Sequence, residues 1–490
     1  MNLITDYYEK HAKDFPEKIA IQTASCKISY QNWAERIKKT ANWLESLNLP
    51  KKTVGILLPN GIPFLQIFAG AASAGWTAVP LDMKWKEAEL EKRLLLAAPS
   101  LIITIDELVP SIKYANVRTW DSCSNEINQM NTIFQKPIGN PPFYMGFTSG
   151  TTGNPKAFIR SHESWIESFT CNRIDFNLKE SEHVLIPGAL IHSHFLYGAI
   201  STLALGGTVY LLEKFSPLQV LDLLQTKTIS TIFVVPTMIE ALLQLNYKID
   251  APFTILSSGA KWTEHSKKKI IDMFPQIELF EFYGASELSF VSYLSTSLGM
   301  DKAGSVGKPC TGVEVQIRKA DNQIAQPQET GKIFVRSKLI FTGYLDPETH
   351  AIQTIQDENG WATVNDMGYL DEDGFLYIAG RENNMIIYGG INIFPEEVET
   401  ILALHPDVEE VAVIGVSNSY WGQIVTAVIK GHAEKLELKR LCKRHLSAYK
   451  TPRKWYFLDE LPYTTSGKIA RSELKEMIER KEGEKRLNVQ

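Results

Sequence analysis

Phe147-Thr-Ser-Gly-Thr-Thr-Gly-Asn-Pro-Lys-Ala157 gathers small hydroxyl residues, two glycines and one lysine into a stretch too polar and too glycine-rich for a core. It offers exposed backbone N–H groups, hydroxyls and a single cation, which is what a triphosphate needs around it. The apolar run before it, Phe143-Tyr-Met-Gly-Phe147, reads as a strand, and from about Ser161 to Cys171 the spacing is helical. The stretch is not a Walker A loop, because Pro155 stands where the second glycine would be and no Ser or Thr follows Lys156. Taken alone, such a segment reads equally well as a flexible turn.

Further segments give it context. Phe282-Tyr-Gly-Ala-Ser-Glu287 follows a strand-like run and ends in a carboxylate; Asp366 closes Trp361-Ala-Thr-Val-Asn-Asp366. Gly380-Arg381 precedes Met385-Ile-Ile-Tyr-Gly-Gly390, and Pro462-Tyr-Thr-Thr-Ser-Gly-Lys-Ile469 comes near the end. In this order and at this spacing the segments resemble the signatures of the adenylate-forming superfamily, which holds acyl-CoA synthetases, adenylation domains of peptide synthetases and firefly-type luciferases. The resemblance spans Tyr30 to Lys468, and in detail the chain looks similar to bacterial fatty-acid–CoA ligases.

At 490 residues the chain exceeds the roughly 250–300 residues of one hydrophobic core, so at least two domains are expected. A net charge of −5 argues against a nucleic-acid partner held by bulk electrostatics. Five scattered cysteines (Cys26, Cys123, Cys171, Cys310 and Cys442) form no C-x-x-C pair, which favours reduced, cytoplasmic thiols. No run approaches the ~20 apolar residues of a membrane span, and the N-terminus lacks a signal pattern. Peripheral membrane contact and oligomeric state are left open.

From about residue 30 to 285, short apolar strands such as Val54–Leu58, Leu101–Thr104 and Thr231–Val235 alternate with helical spacing. That pattern predicts an α/β fold with covered, mostly parallel sheets. After Glu287, runs at Val313–Ile317, Lys332–Val335 and Phe375–Ile378 read as antiparallel strands of a small β-barrel-like subdomain. Beyond a boundary at 380–384 comes a compact α+β unit. The resemblance implies a large N-terminal domain (1–380), a hinge near 381–384 and a small mobile C-terminal lid (385–490).

The implied reaction joins a carboxylic acid to ATP as an acyl-adenylate, then passes the acyl group to coenzyme A. Two anions must meet, so the site must supply positive charge and hydrogen-bond donors. Thr148, Ser149, Gly150, Thr151, Thr152, Gly153 and Lys156 fit the role of holding phosphates. Glu287, with Thr148, suits Mg²⁺ as a hard oxygen ligand; the bland alternative for Glu287 is a carboxylate at a helix N-terminus. Tyr283, with Gly284, Ala285 and Ser286 after it, is placed to stack on adenine, and Gly259-Ala260 would let the base lie near backbone. Asp366 and Arg381 suit the ribose, although an Asp in a turn is more often a cap. The resemblance assigns Lys468 to the substrate carboxylate and α-phosphate during adenylation, and Gly389-Gly390 to the entry of the thiol. Many relatives carry Lys-Asp where this chain has Asn383-Asn384, and a Gly where it has Ala157.

The acid itself is read from Pro187-Gly-Ala-Leu-Ile-His-Ser-His-Phe195. It lacks the Asp that would pair with an amino acid's ammonium. His192 then walls the acyl pocket or is an ordinary core histidine; Phe195, Leu196 and Tyr197 line a pocket or form the core face of a helix. The expected substrate is a hydrophobic acid, a medium- or long-chain fatty acid. Two alternatives stand beside it: transfer to the phosphopantetheine thiol of a carrier protein, and a non-catalytic nucleotide-binding protein.

Overall fold

The computed structural model describes residues 3–149, 155–180, 182–245, 247–259, 262, 264–299, 302, 304–389, 391–418, 420–463 and 469–487. Of the sequence-predicted site, Gly150, Thr151, Thr152, Gly153, Ala260, Gly390 and Lys468 lie outside the described residues, and Ser149 is described in its backbone only.

The chain divides into two compact units, one of residues 1–315 and 335–362, the other of residues 316–334 and 363–490. The first unit holds two large sheets. In one, Ile19–Gln22, Thr208–Leu211, His183–Ile186, Thr231–Val234, Thr254–Ser257 and Glu278–Ala285 lie side by side and parallel. Antiparallel strands Lys27–Ser29 and Ser289–Ser295 flank them. In the other, Pro142–Ser149, Thr77–Pro80, Thr53–Ile56, Leu101–Thr104 and Val117–Thr119 are parallel, extended at one edge by antiparallel Pro155–Ser161, Gly343–Leu345 and Ile352–Gln353. The inner strands are buried along their length because each apolar run is covered on both faces.

Two helices explain that coverage. Ile62–Ala74 is buried from Phe64 onward and Ser193–Leu205 from Phe195 onward. A helix apolar on every side has to be enclosed. Tyr30 starts the helix Tyr30–Ser46 after the cap Ser29, and its fully buried hydroxyl donates to the carbonyls of Leu203 and Gly207 (3.1 and 2.7 Å). That ties the start of Tyr30–Ser46 to the turn after Ser193–Leu205.

The strands expected as barrel-like form a four-stranded sheet, ordered Glu314–Arg318, Gly331–Arg336, Asp366–Leu370 and Leu376–Arg381, antiparallel across its last three strands. Four short strands are too few to close around a core of their own. The C-terminal sheet pairs Val408–Asn418 with Gly422–Gly431 over nearly their whole length and carries the helices Pro395–Leu402, Lys435–His445 and Arg471–Leu487. Val398, Leu402, Val413, Val428, Leu438, Leu474 and Ile478 make its core.

Candidate active site

The opening motif sits on a β-hairpin, not on a strand-to-helix turn. Pro142–Ser149 pairs antiparallel with Pro155–Ser161, placing Thr148 opposite Lys156 and Ser149 opposite Pro155; helix His162–Ile174 begins only afterwards. The motif therefore presents no helix N-terminus to an anion.

Three side chains converge beside this hairpin. Tyr344, on the neighbouring strand opposite Phe158, donates its hydroxyl to Glu287 Oε1 at 2.5 Å. The exposed Lys156 holds its ammonium 5.1 Å from the centre of the Tyr344 ring, a cation–π distance. Glu287 is 8 % exposed and sits in the tight turn Ala285–Leu288, closed by Leu288 N–H donating to the Ala285 carbonyl at 3.1 Å. It thus joins two antiparallel strands, so the helix-terminus reading of this carboxylate is excluded. Gly284 is required where the bulge forms: a Cβ there would come within 2.1 Å of the Ser289 carbonyl oxygen.

Beneath the turn lies Arg160, 3 % exposed. Its Nη2 and Nε donate to the Ser286 carbonyl (2.6 and 3.2 Å) and its Nη1 to the Leu339 carbonyl (2.6 Å). Burial holds its pKa down to about 10, against the opposing pull of Glu287, and it remains a cation at neutral pH. Neither Arg160 nor Tyr344 was singled out from sequence. Both act across long separations, and an arginine four residues after Lys156 carries no local mark of burial.

Gly259 and Tyr283 lie at the C-terminal ends of the adjacent parallel strands Thr254–Ser257 and Glu278–Ala285, the edge where open α/β sheets take ligands. Gly259 has φ +99°, and among the described residues a Cβ there would meet Val235 Cγ1 alone, at 3.6 Å; the left-handed backbone favours glycine. Ser258 Oγ donates to the Phe282 carbonyl at 3.2 Å, joining the two strand ends.

His192 immediately precedes the helix Ser193–Leu205, and its side chain makes no capping hydrogen bond. Its side chain is exposed, yet surrounding protein lowers its pKa by desolvation, with Asp82 opposing and Lys84 reinforcing the shift. Asn60 fixes that loop, donating to the carbonyls of Gly188 (3.2 Å) and Leu212 (2.6 Å) and accepting from Leu190 N–H (2.8 Å). Phe195, Leu196 and Tyr197 are core: Tyr197 packs on Trp165 and Phe290, and its hydroxyl is hydrogen-bonded to Ser168 and Asn172.

In the second unit, register brings Asp366 opposite Arg381, and Arg381 Nε donates to Asp366 Oδ1 at 3.1 Å. Asp366 is 5 % exposed while Arg381 reaches solvent. The residues Glu382–Asn384 form a 3₁₀ turn, with Asn384 Nδ2 donating to Glu396 Oε1 at 3.0 Å. Gly389 donates its N–H to the Trp421 carbonyl at 2.8 Å, beside the stacked Tyr388 and Trp421 rings. Tyr463 and Ile469, on either side of the segment that contains Lys468, pair antiparallel.

Among the described residues no three His, Cys, Asp or Glu side chains converge on a metal-sized site. No described helix is long and apolar enough to cross a membrane.

Residues 8–345 match the family model for AMP-binding enzymes, and residues 397–468 match the AMP-binding enzyme C-terminal domain. The chain is 49% identical to the uncharacterized acyl–CoA ligase YhfT of Bacillus subtilis, over 97% of this chain and 98% of that protein. It is 30% identical to a 2-succinylbenzoate–CoA ligase of Bacillus pumilus, over 94% and 95%. In structure it resembles the o-succinylbenzoate CoA synthetase of Bacillus subtilis solved with its acyl-adenylate intermediate, with a TM-score of 0.87 and 28% identity over 96% of this chain and 97% of that one. The likeness is to CoA ligases generally and not specifically to fatty-acid–CoA ligases. The chain belongs to the AMP-binding enzyme family.

Proposed function

We propose that this protein is an AMP-forming acid–thiol ligase, which adenylates a hydrophobic carboxylic acid with ATP and transfers the acyl group to coenzyme A. The observation that carries the reading is the group of Lys156, Tyr344 and Glu287 beside the glycine-rich hairpin, a cation and a buried carboxylate on one polar loop. The donor set fits Mg²⁺, which binds few protein carboxylates and completes its shell with phosphate oxygens and water. Glu287 and the Thr148 hydroxyl would hold it, and when bound it supplies positive charge to the polyphosphate.

The remaining roles fall to the chain's own residues. Lys156 and the hydroxyls of 148–152 neutralise and orient the phosphates. The open, left-handed backbone at Gly259 and the half-buried Tyr283 receive adenine. Asp366 accepts the ribose hydroxyls, held in place by Arg381. Lys468 serves adenylation by contacting the carboxylate and the α-phosphate; the lid, hinged near 381–384, then brings the Gly389-Gly390 side to the adenylate for the thiol.

For the acid, a fatty chain is supported by the 29% identity to a putative long chain fatty acid-CoA ligase of Staphylococcus epidermidis. A compact, partly aromatic acid is favoured by the 2-succinylbenzoate–CoA ligases among the relatives, and by the burial of Phe195, Leu196 and Tyr197 in core packing. The test is pyrophosphate release from ATP with fatty, aromatic and amino acids, each with and without coenzyme A. Release with acyl-CoA formation supports the reading and ranks the acids. Release without acyl-CoA redirects the second step to a carrier-protein thiol, and silence with every acid refutes ligase activity.

A further inference from the structure

The 3₁₀ turn Glu382–Asn384 is fastened to a different sheet on each side. Glu382 is held to the four-stranded sheet: its N–H donates to the Asn365 carbonyl at 2.9 Å, and its carboxylate pairs with Lys332 at 2.9 Å. Ile386 already belongs to the C-terminal sheet, where it lies opposite Ile393. A change of orientation between the two sheets therefore falls on Asn383, Asn384 and Met385. One backbone bond crosses that stretch, from Met385 N–H to the Glu382 carbonyl at 3.2 Å.

Glu396 spans this pivot. It lies in the first turn of the helix Pro395–Leu402, and its Oε1 accepts from Asn384 Nδ2 at 3.0 Å. Its Oε2 is buried, without a hydrogen-bond partner among the described residues, and faces Gly380 in the strand Leu376–Arg381. A Cβ on Gly380 would lie 2.4 Å from Oε2 and 3.1 Å from Phe394 Cδ1, so the helix can come this close only over glycine. Turning the chain at 383–385 re-aims the Asn384 amide and carries Glu396 away from Gly380. The two oxygens then pull in opposite directions. Oε1 favours the present arrangement through a charge-assisted hydrogen bond, whereas Oε2 regains water once the helix leaves. Such a contact holds, but lets go. It also requires the asparagine of this chain, because the Asp that many relatives carry at this position would set a second carboxylate against Glu396.

We infer that Glu396 is a positioning residue of the two-step reaction, a releasable latch that acts through Asn384 and Gly380 to hold the lid in one orientation. The inference rests on the ligase reading above and on its hinge near 381–384.

The experiment compares acid-dependent pyrophosphate release with conversion of supplied acyl-adenylate to acyl-CoA, as a ratio of rates within each variant. Glu396→Ala and Asn384→Asp should each shift that ratio about fivefold or more, in the same direction, the scale on which one lost charge-assisted bond moves an equilibrium. The double variant Asn384→Ala/Glu396→Ala should stay within about twofold of Glu396→Ala, because both changes remove one contact. Glu396→Gln, which keeps an acceptor for Asn384, should lie nearer wild type. A residue that merely stabilised the fold would lower both rates together and leave the ratio alone. Amide hydrogen exchange supplies a readout that needs no activity: Glu396→Ala should exchange about fivefold faster or more over 380–389, with Val408–Asn418 unchanged. Should Glu396→Ala exchange faster in both segments, its fold has loosened and Asn384→Asp decides. A ratio within about twofold of wild type, opposite shifts in the two variants, or effects that multiply in the double variant overturn the latch and leave the ligase reading intact. If the wild type releases pyrophosphate with no acid, the ligase reading fails, and unaltered exchange over 380–389 then overturns the latch as well.

Discussion

Replacing Arg160 by leucine tests whether the turn that carries Glu287 depends on a cation hidden beneath it. The guanidinium makes three donations, two of them short, to two backbone carbonyls, at Ser286 and Leu339. Leucine leaves both carbonyls without a donor, at about 1–3 kcal/mol each. Part of this is regained because a buried guanidinium no longer has to be desolvated. The net expectation is a loss of about 2–4 kcal/mol. With an unfolding entropy near 2.1 cal/mol/K per residue, a unit of roughly 340 residues has about 0.7 kcal/mol/K, so the melting temperature should fall by about 3–6 °C. Arg160→Lys should fall between, because one ammonium cannot fork across two carbonyls.

The turn also positions Glu287, so kcat/KM for ATP in Arg160→Leu should drop at least about tenfold, the scale on which small misplacements act. Thermal scans at one scan rate and pyrophosphate-release kinetics on the same preparations measure both. A melting temperature within 1 °C of wild type would refute the stability reasoning, and lowered stability with unchanged kcat/KM would show that Arg160 does not position the site.

Lys468→Ala should abolish acid-dependent pyrophosphate release yet spare conversion of supplied acyl-adenylate to acyl-CoA; loss of both steps would remove the proposed division of labour. Asp366→Ala should raise the KM for ATP by about tenfold or more, with kcat less affected, consistent with loss of hydrogen bonds to a bound group; an unchanged KM contradicts the ribose role. Stability should also fall in mild acid. Burial lowers the pKa of both His162 and His194 from 6.5 to about 4, so between those values the unfolded chain binds more protons than the folded one. Each ring then contributes a loss of about 1.4 kcal/mol per pH unit as pH falls from 6.5 towards 4, and none above 6.5. Urea unfolding at pH 7, 6 and 5 should show that slope and His162→Gln should reduce it; an equal slope in the variant counts against the assignment.

What the sequence revealed and what it hid differ in a physical way. Val54–Leu58, Leu101–Thr104 and Thr231–Val235 are legible as parallel strands because burial on both faces demands unbroken apolar runs, and observed strands lie at Thr53–Ile56, Leu101–Thr104 and Thr231–Val234. Pro155–Ser161 was not legible. It follows a glycine-rich loop, runs straight into the helix at His162, and carries Arg160 inward where a charge normally signals surface. The site divides along the same line. Its contiguous motifs hold their groups close together in sequence, so Glu287, Thr148 and Lys156 could be singled out by reading along the chain, though not the hairpin that sets Thr148 opposite Lys156. The groups that orient them come from elsewhere: Tyr344 meets Glu287 across 57 residues and Arg160 meets Ser286 across 126. Asp366 and Arg381 are intermediate, because each was visible alone while only the antiparallel register makes them a pair. The proposed substrate contacts thus lie in short motifs, whereas the groups that hold them in place come from strands distant in sequence. Substitutions at Arg160 or Tyr344 should therefore perturb the chemistry despite lying outside every motif.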